Sequence, residues 1–147
     1  LGRDLTDPLN SGNLVGTIAV GNTNSPGGEE PWRALDNTAG TKWLAFSPAG
    51  TYYQFQFNGG PEVVAAYTIT SANDAPNRDP YSWTLSGSND GVNYSVVDTR
   101  SAVDFANRFE TQLFEFTQGT PYAYCLFDVQ PEYGATCNHP PVAIQLA

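Results

Sequence analysis

Hydrophobic and polar residues alternate with a period of two in several stretches of the chain, and no window sustains a capped helical period. Tyr53, Phe55 and Phe57 alternate with Tyr52, Gln54 and Gln56, which predicts a strand with three rings on one face and two amides on the other. Asn58-Gly59-Gly60-Pro61 ends that strand with turn chemistry, and a second strand follows from Val63 to Ser71. Trp83, Leu85 and Gly87 alternate with Ser82, Thr84 and Ser86. Asn89-Asp90-Gly91 then predicts a hairpin into Tyr94 to Thr99. Further strands are expected over Thr111 to Thr117, with Phe114 and Phe116 on one face, and over Tyr122 to Val129, where Cys125, Phe127 and Val129 share a side. Val142, Ile144 and Leu146 form the last apolar run.

About eight antiparallel strands separated by Gly, Pro and Asn turns predict an all-β fold, a single-domain β-sandwich or jelly roll whose two sheets bury each other's apolar faces. The polar, Gly/Asn-rich residues 1–13 read as an arm or linker, and residues 14–147 as the sandwich.

Composition narrows the partners. The chain has 147 residues, enough for one real core, and carries 15 acidic against 6 basic side chains for a net charge of −9. Nucleic acid needs clustered Lys and Arg, whereas Lys42 is the only lysine and the arginines are scattered. The same acidity disfavours anionic membrane surfaces, and no run approaches the ~18–20 apolar residues of a spanning helix. Scarce lysine with abundant Asn, Thr, Ser and Gly is the habit of secreted all-β proteins, so an extracellular or cell-surface setting is expected.

Cys125 and Cys137 would close a short disulfide loop in an oxidising compartment, stabilising by roughly 3 kcal/mol, or else stay as buried thiols. One histidine, His139, and this cysteine spacing fit no zinc pattern. Asn93-Tyr94-Ser95 is an acceptor sequon. No nucleophile elbow, HExxH or phosphate loop occurs, and Glu29-Glu30 sit side by side on a Gly/Pro loop, so no catalytic role is expected.

Three segments carry a resemblance: Ala34-Leu35-Asp36-Asn37-Thr38-Ala39-Gly40-Thr41-Lys42-Trp43, then Tyr67-Thr68-Ile69-Thr70-Ser71-Ala72-Asn73-Asp74, then Asp79-Pro80-Tyr81-Ser82-Trp83-Thr84-Leu85-Ser86-Gly87-Ser88-Asn89-Asp90-Gly91. In order and spacing the chain from about Gly16 onward resembles the discoidin, or coagulation-factor type C, superfamily, and within it the carbohydrate-binding modules of family 32. The resemblance implies a galactose-binding-like sandwich with Trp43 and Trp83 in the core. It implies a noncatalytic glycan-binding module and a structural Ca²⁺. The side chains of Asp36 and Thr41, the carbonyls of Arg33 and Thr38 and the C-terminal end at Ala147 would hold the ion, a set of hard oxygens such as Ca²⁺ takes. The bottom-up alternative is that Asp36 merely organises an Asx turn. Family members usually continue past Ile-Gln-Leu-Ala with a glutamate, so the last strand is expected to be incomplete here.

The resemblance places ligands on loops at one end of the sandwich, here Gly21–Trp32, Ala45–Gly50, Asn73–Tyr81 and Pro131–Pro141. A sugar's CH face packs on an aromatic ring while polar groups read its hydroxyls. The candidates are Trp32, Phe46, Arg78, Arg108, Tyr133, Asn138 and His139. Arg78 has a structural alternative in an ion pair with Asp79 or Asp74. A different class of function, a structural or adhesive subunit that exchanges strands through its arm or its last strand, would use the same fold to touch neighbouring protein subunits.

Overall fold

In a computed structural model, the structure describes residues 15–21, 24–36, 38–46, 50–130 and 141–146. Among the described residues nine strands form two antiparallel sheets: β1 (Val15–Gly21), β2 (Trp43–Leu44), β3 (Tyr52–Phe57), β4 (Ala66–Thr70), β5 (Trp83–Ser88), β6 (Ser95–Arg100), β7 (Thr111–Glu115), β8 (Tyr124–Val129) and β9 (Pro141–Leu146). One sheet has the order β1-β3-β8-β5-β6 and the other β2-β9-β4-β7. The all-β sandwich expected from alternation is therefore present.

The pattern of β3 works as read: Tyr53, Phe55 and Phe57 are buried, and Tyr52, Gln54 and Gln56 lie half-buried on the other face. Cys125, Phe127 and Val129 of β8 face the same core. From the opposite sheet come Tyr67 and Ile69 of β4 and Phe114 of β7, with Phe116 partly buried beside them. Trp43 and Trp83 are completely buried. Trp43 meets Tyr53 edge-on at 5.8 Å, and Trp83 meets Phe114 edge-on at 5.1 Å, the T-shaped geometry that ring quadrupoles favour.

A polar chain crosses this core. Trp83 Nε1 donates to the Tyr67 hydroxyl at 2.6 Å, which donates to Asp98 Oδ2 at 2.6 Å, which also accepts from Arg100 Nε at 2.7 Å. Arg100 reaches on to the Glu115 carbonyl at 2.8 Å and covers the Phe114 ring. Every member has a partner, so buried polarity here ties the sheets together.

Strict alternation is interrupted in β5. Ser86, Gly87 and Ser88 at the end of β5 are all buried, beside a bulge at which β6 carries Val97 as the extra residue between Val96 and Asp98. Gly87 is required there, because a Cβ would lie 2.2 Å from the Tyr122 ring. β9 pairs with β2 on one side and with β4 from Tyr67↔Leu146 to Thr70↔Ala143 on the other.

The Asn89-Asp90-Gly91 hairpin joins β5 to β6. Asp90 accepts from the Val92 and Asn93 amides, from Asn93 Nδ2 and from Ser88 Oγ, and these bonds hold its carboxyl far below the usual carboxylate range. A depressed folded value means the stabilisation is present above the unfolded value near ~4 and is lost as pH falls below it. Calorimetry from pH 6 to 2.5 is expected to show the melting temperature falling below about pH 4, less steeply in Asp90→Ala. Equal slopes would show that Asp90 carries none of the acid sensitivity.

The disulfide expectation is corrected. Cys125 is a free, buried thiol, pushed up to about 12 by burial. It lies on the inward face near the start of β8, paired with Phe55 and Gly87. Cys137 itself lies outside the described residues.

Candidate functional site

The register places several loops at one end of the sandwich. Trp43 pairs with Val142, and Thr70 pairs with Ala143 and Thr111, so β2, the exit of β4 and the entry of β7 share that end. In the other sheet Gly21 pairs with Tyr52, Tyr52 with Asp128 and Trp83 with Arg100, bringing the 71–82 and 101–110 connections together.

An open pocket of about 440 Å³ lies there, walled by residues 28–29, 39–42, 73–74 and Phe109. Lys42, nearly buried, donates to Asp74 Oδ1 at 2.7 Å and to Asn73 Oδ1 at 3.0 Å, and faces Glu29 Oε1 at 3.5 Å. The Lys42 hydrogen bond holds the Asp74 carboxyl below its ordinary value. Phe109 is 54% exposed, an apolar plate at the edge of an otherwise polar basin.

Phe109 adopts a left-handed backbone, φ 56°, which is uncommon for a bulky residue and persists only where its surroundings impose it. Its flanks are fixed on both sides. Ser71 Oγ donates to the Asn107 carbonyl at 2.8 Å and accepts from the Glu110 amide at 3.0 Å. Arg108 forks onto Asp79 and also reaches the carbonyls of Phe105 and Asp74. Burial pushes the Asp79 carboxyl up against the opposing pull of that guanidinium.

The sequence candidates separate. Arg108 is brought to this end of the molecule, where its donors are spent on neighbouring loops. Arg78 follows Pro76 in a short 3₁₀ turn, and its guanidinium has no ion-pair or hydrogen-bond partner among the described residues; Asp79 pairs with Arg108 and Asp74 with Lys42. Trp32, in the 3₁₀ helix Pro31–Leu35, is 57% exposed, and Phe46 is 44% exposed. Neither lines the pocket. Tyr133, Asn138, His139 and Ala147 lie outside the described residues.

Sequence reasoning missed Glu29, Asn73, Asp74 and Phe109 as pocket residues and Lys42 as their organiser. One signal for Phe109 was present: it stands just before β7, out of phase with the inward Phe114 and Phe116.

The Asp36–Thr41 turn forms the wall beside this pocket. Thr41 Oγ1 lies 2.8 and 2.7 Å from the two Asp36 carboxylate oxygens and 3.2 Å from the Thr38 carbonyl. The Thr38 amide donates to Asp36 Oδ1 at 3.2 Å, an Asx turn. Among the described residues no three His, Cys, Asp or Glu side chains gather to hold a metal, so the donors here are one carboxylate, one hydroxyl and carbonyls. Three hard oxygens already converge at spacings that one Ca²⁺ accommodates, so the residues present fit part of such a shell. The Arg33 guanidinium, 3.6 Å from Asp36 Oδ2, balances that carboxylate.

Known proteins share this architecture. No family model matches the chain. A chitosan-binding module from a chitosanase/glucanase of Paenibacillus sp. IK-5 superposes with a TM-score of 0.68 at 16% identity, covering 99% of both chains. A family 32 carbohydrate-binding module from a family 31 glycoside hydrolase of Clostridium perfringens gives 0.69 at 12% identity, over 88% of this chain and 92% of that one. Another family 32 module of C. perfringens, solved with galactose, gives 0.64 at 14% identity, over 88% and 91%. These likenesses establish the fold: the chain has the β-sandwich fold of these modules. In sequence, 90 residues are 36% identical to the peptide-N(4)-(N-acetyl-beta-glucosaminyl)asparagine amidase of Arabidopsis thaliana, 57% of this chain but only 12% of that protein.

Proposed function

We propose that the chain is a noncatalytic glycan-binding module whose saccharide site is the pocket between Lys42 and Phe109. The observation that carries this reading is the exposed Phe109 ring, held in a left-handed backbone at the rim of a polar basin. A ring offers a plate for the CH face of a sugar, and fixed carboxylate and amide oxygens accept from its hydroxyls. That solved neighbours of this fold bind galactose and chitosan supports a saccharide as the ligand. The Lys42 hydrogen bond holds the Asp74 carboxyl below its ordinary value, the opposite of the raised value that a general acid for glycoside cleavage needs. Scarce lysine and hydroxyl-rich faces favour an extracellular setting.

Electrophoresis through gels containing glycol chitosan or a galactose-bearing polysaccharide tests the reading. Retardation by at least one is expected, and migration of the folded protein unchanged in every gel would overturn it.

We further assign the Asp36–Thr41 turn as a structural Ca²⁺ site, with the Asp36 carboxylate, the Thr41 hydroxyl and the carbonyls of Thr38 and Arg33 as the residues that would hold the ion. A bound ion would brace residues 39–42, which form one pocket wall. Because an ion bound only by the native state adds stability by mass action, Ca²⁺ at ~100-fold above its dissociation constant is worth about 2.7 kcal/mol. Chelation is expected to lower the melting temperature, and Asp36→Ala should remove the response to Ca²⁺. A melt indifferent to exhaustive chelation would reject the site.

A further inference from the structure

The donors and acceptors left over in the pocket decide which glycan suits it. Among the described lining residues Lys42 is the only cation, and it is engaged by Asp74, Asn73 and Glu29. An ammonium has three N–H donors, so at most one remains for a ligand. Arg108, next to Phe109, is likewise committed to Asp79 and to two carbonyls. What the pocket keeps free is acceptor capacity, chiefly the second oxygens of Glu29 and Asp74, with one more negative than positive charge along its wall. The Asp74 side chain is 53% exposed and opens towards solvent.

Resting on the reading of this pocket as the saccharide site, we propose that it selects glycans bearing a protonated amine, such as glucosamine oligomers, over their N-acetylated counterparts and over uronic-acid polymers. An ammonium group brings donors and positive charge to the carboxylate oxygens that Lys42 leaves unbonded. A uronate brings only acceptors and meets carboxylates whose neutralising cation is already taken, so like charges face each other without a donor between them. The acetylated sugar still stacks on Phe109 and loses only the charge-assisted bond. Arg78 lies outside the lining, and among the described residues its guanidinium is the nearby cation with no ion-pair or hydrogen-bond partner, so it argues the opposite case.

Calorimetric titration of the full chain at pH 5.5, where the sugar amine carries its proton, compares hexamers of glucosamine, N-acetylglucosamine and galacturonic acid. At ~20 mM salt the glucosamine hexamer is expected to bind about fivefold tighter than the acetylated one, with the gap closing towards ~0.5 M salt as screening sets in. Asp74→Asn should erase the gap, because it removes one acceptor charge and releases Lys42. Equal affinity for the two hexosamine hexamers at low salt would overturn the proposal. So would tighter binding of the galacturonate hexamer, and its loss in Arg78→Gln would then move recognition to Arg78. Both of those results leave the saccharide site standing, whereas failure of all three hexamers to bind would overturn the reading beneath it as well.

Discussion

Phe109→Gly is expected to weaken saccharide binding by about tenfold while leaving the melting temperature within about 2 °C of the parent. The two halves of that result have separate causes. Covering ~60 Å² of ring with the CH face of a sugar is worth about 1.5 kcal/mol, the free energy of a tenfold change. For the fold, glycine gives up the modest burial of a half-exposed ring but relieves a left-handed backbone that costs a side chain about 1 kcal/mol. Titration calorimetry and a thermal melt on the same sample check both. Tight binding retained in Phe109→Gly would remove the ring from the site, and a large loss of stability would make Phe109 a packing residue.

Tyr67→Ala is expected to have the largest effect on stability, about 4 kcal/mol or roughly 10 °C for a domain of this size. Tyr67 is fully buried, stacks on Phe114 at 5.3 Å and meets Phe127 edge-on at 6.4 Å. Tyr67→Phe separates packing from polarity. It keeps the ring but leaves Trp83 Nε1 without an acceptor and Asp98 without one of its donors, which costs about 2 kcal/mol. Urea melts of the two variants measure the split. A neutral Tyr67→Phe would show that the chain from Trp83 to Arg100 contributes nothing beyond packing.

These two residues show what was legible in the sequence. Tyr67 and Ile69, like the rings of β3, follow the period-two rule that a sheet with one buried face imposes, so their strands and inward faces could be read directly. β2 escaped that rule because Trp43 and Leu44 are both buried and too few to alternate. The unbroken burial of Ser86, Gly87 and Ser88 in β5 goes with Tyr122 covering Gly87, a contact between residues 35 positions apart.

The site was less legible for the same kind of reason. Asp36 and Thr41 lie five residues apart on one turn, and local spacing was enough to bring them together. Lys42 meets Asn73 and Asp74 only because β2 and β4 rise to the same end on either side of β9. Arg108 was read as a ligand contact because its tie to Asp79 is made across two loops whose approach no local pattern announces.

Amide chemical-shift mapping of the folded protein, titrated separately with galactose and with the glucosamine hexamer, is the most direct test of the central claim. The account predicts that at least one sugar perturbs residues 39–42, 73–74 and Phe109 together. Perturbations centred on Trp32 and Phe46 or on the opposite end around the 89–93 hairpin, or none with either sugar, would contradict it.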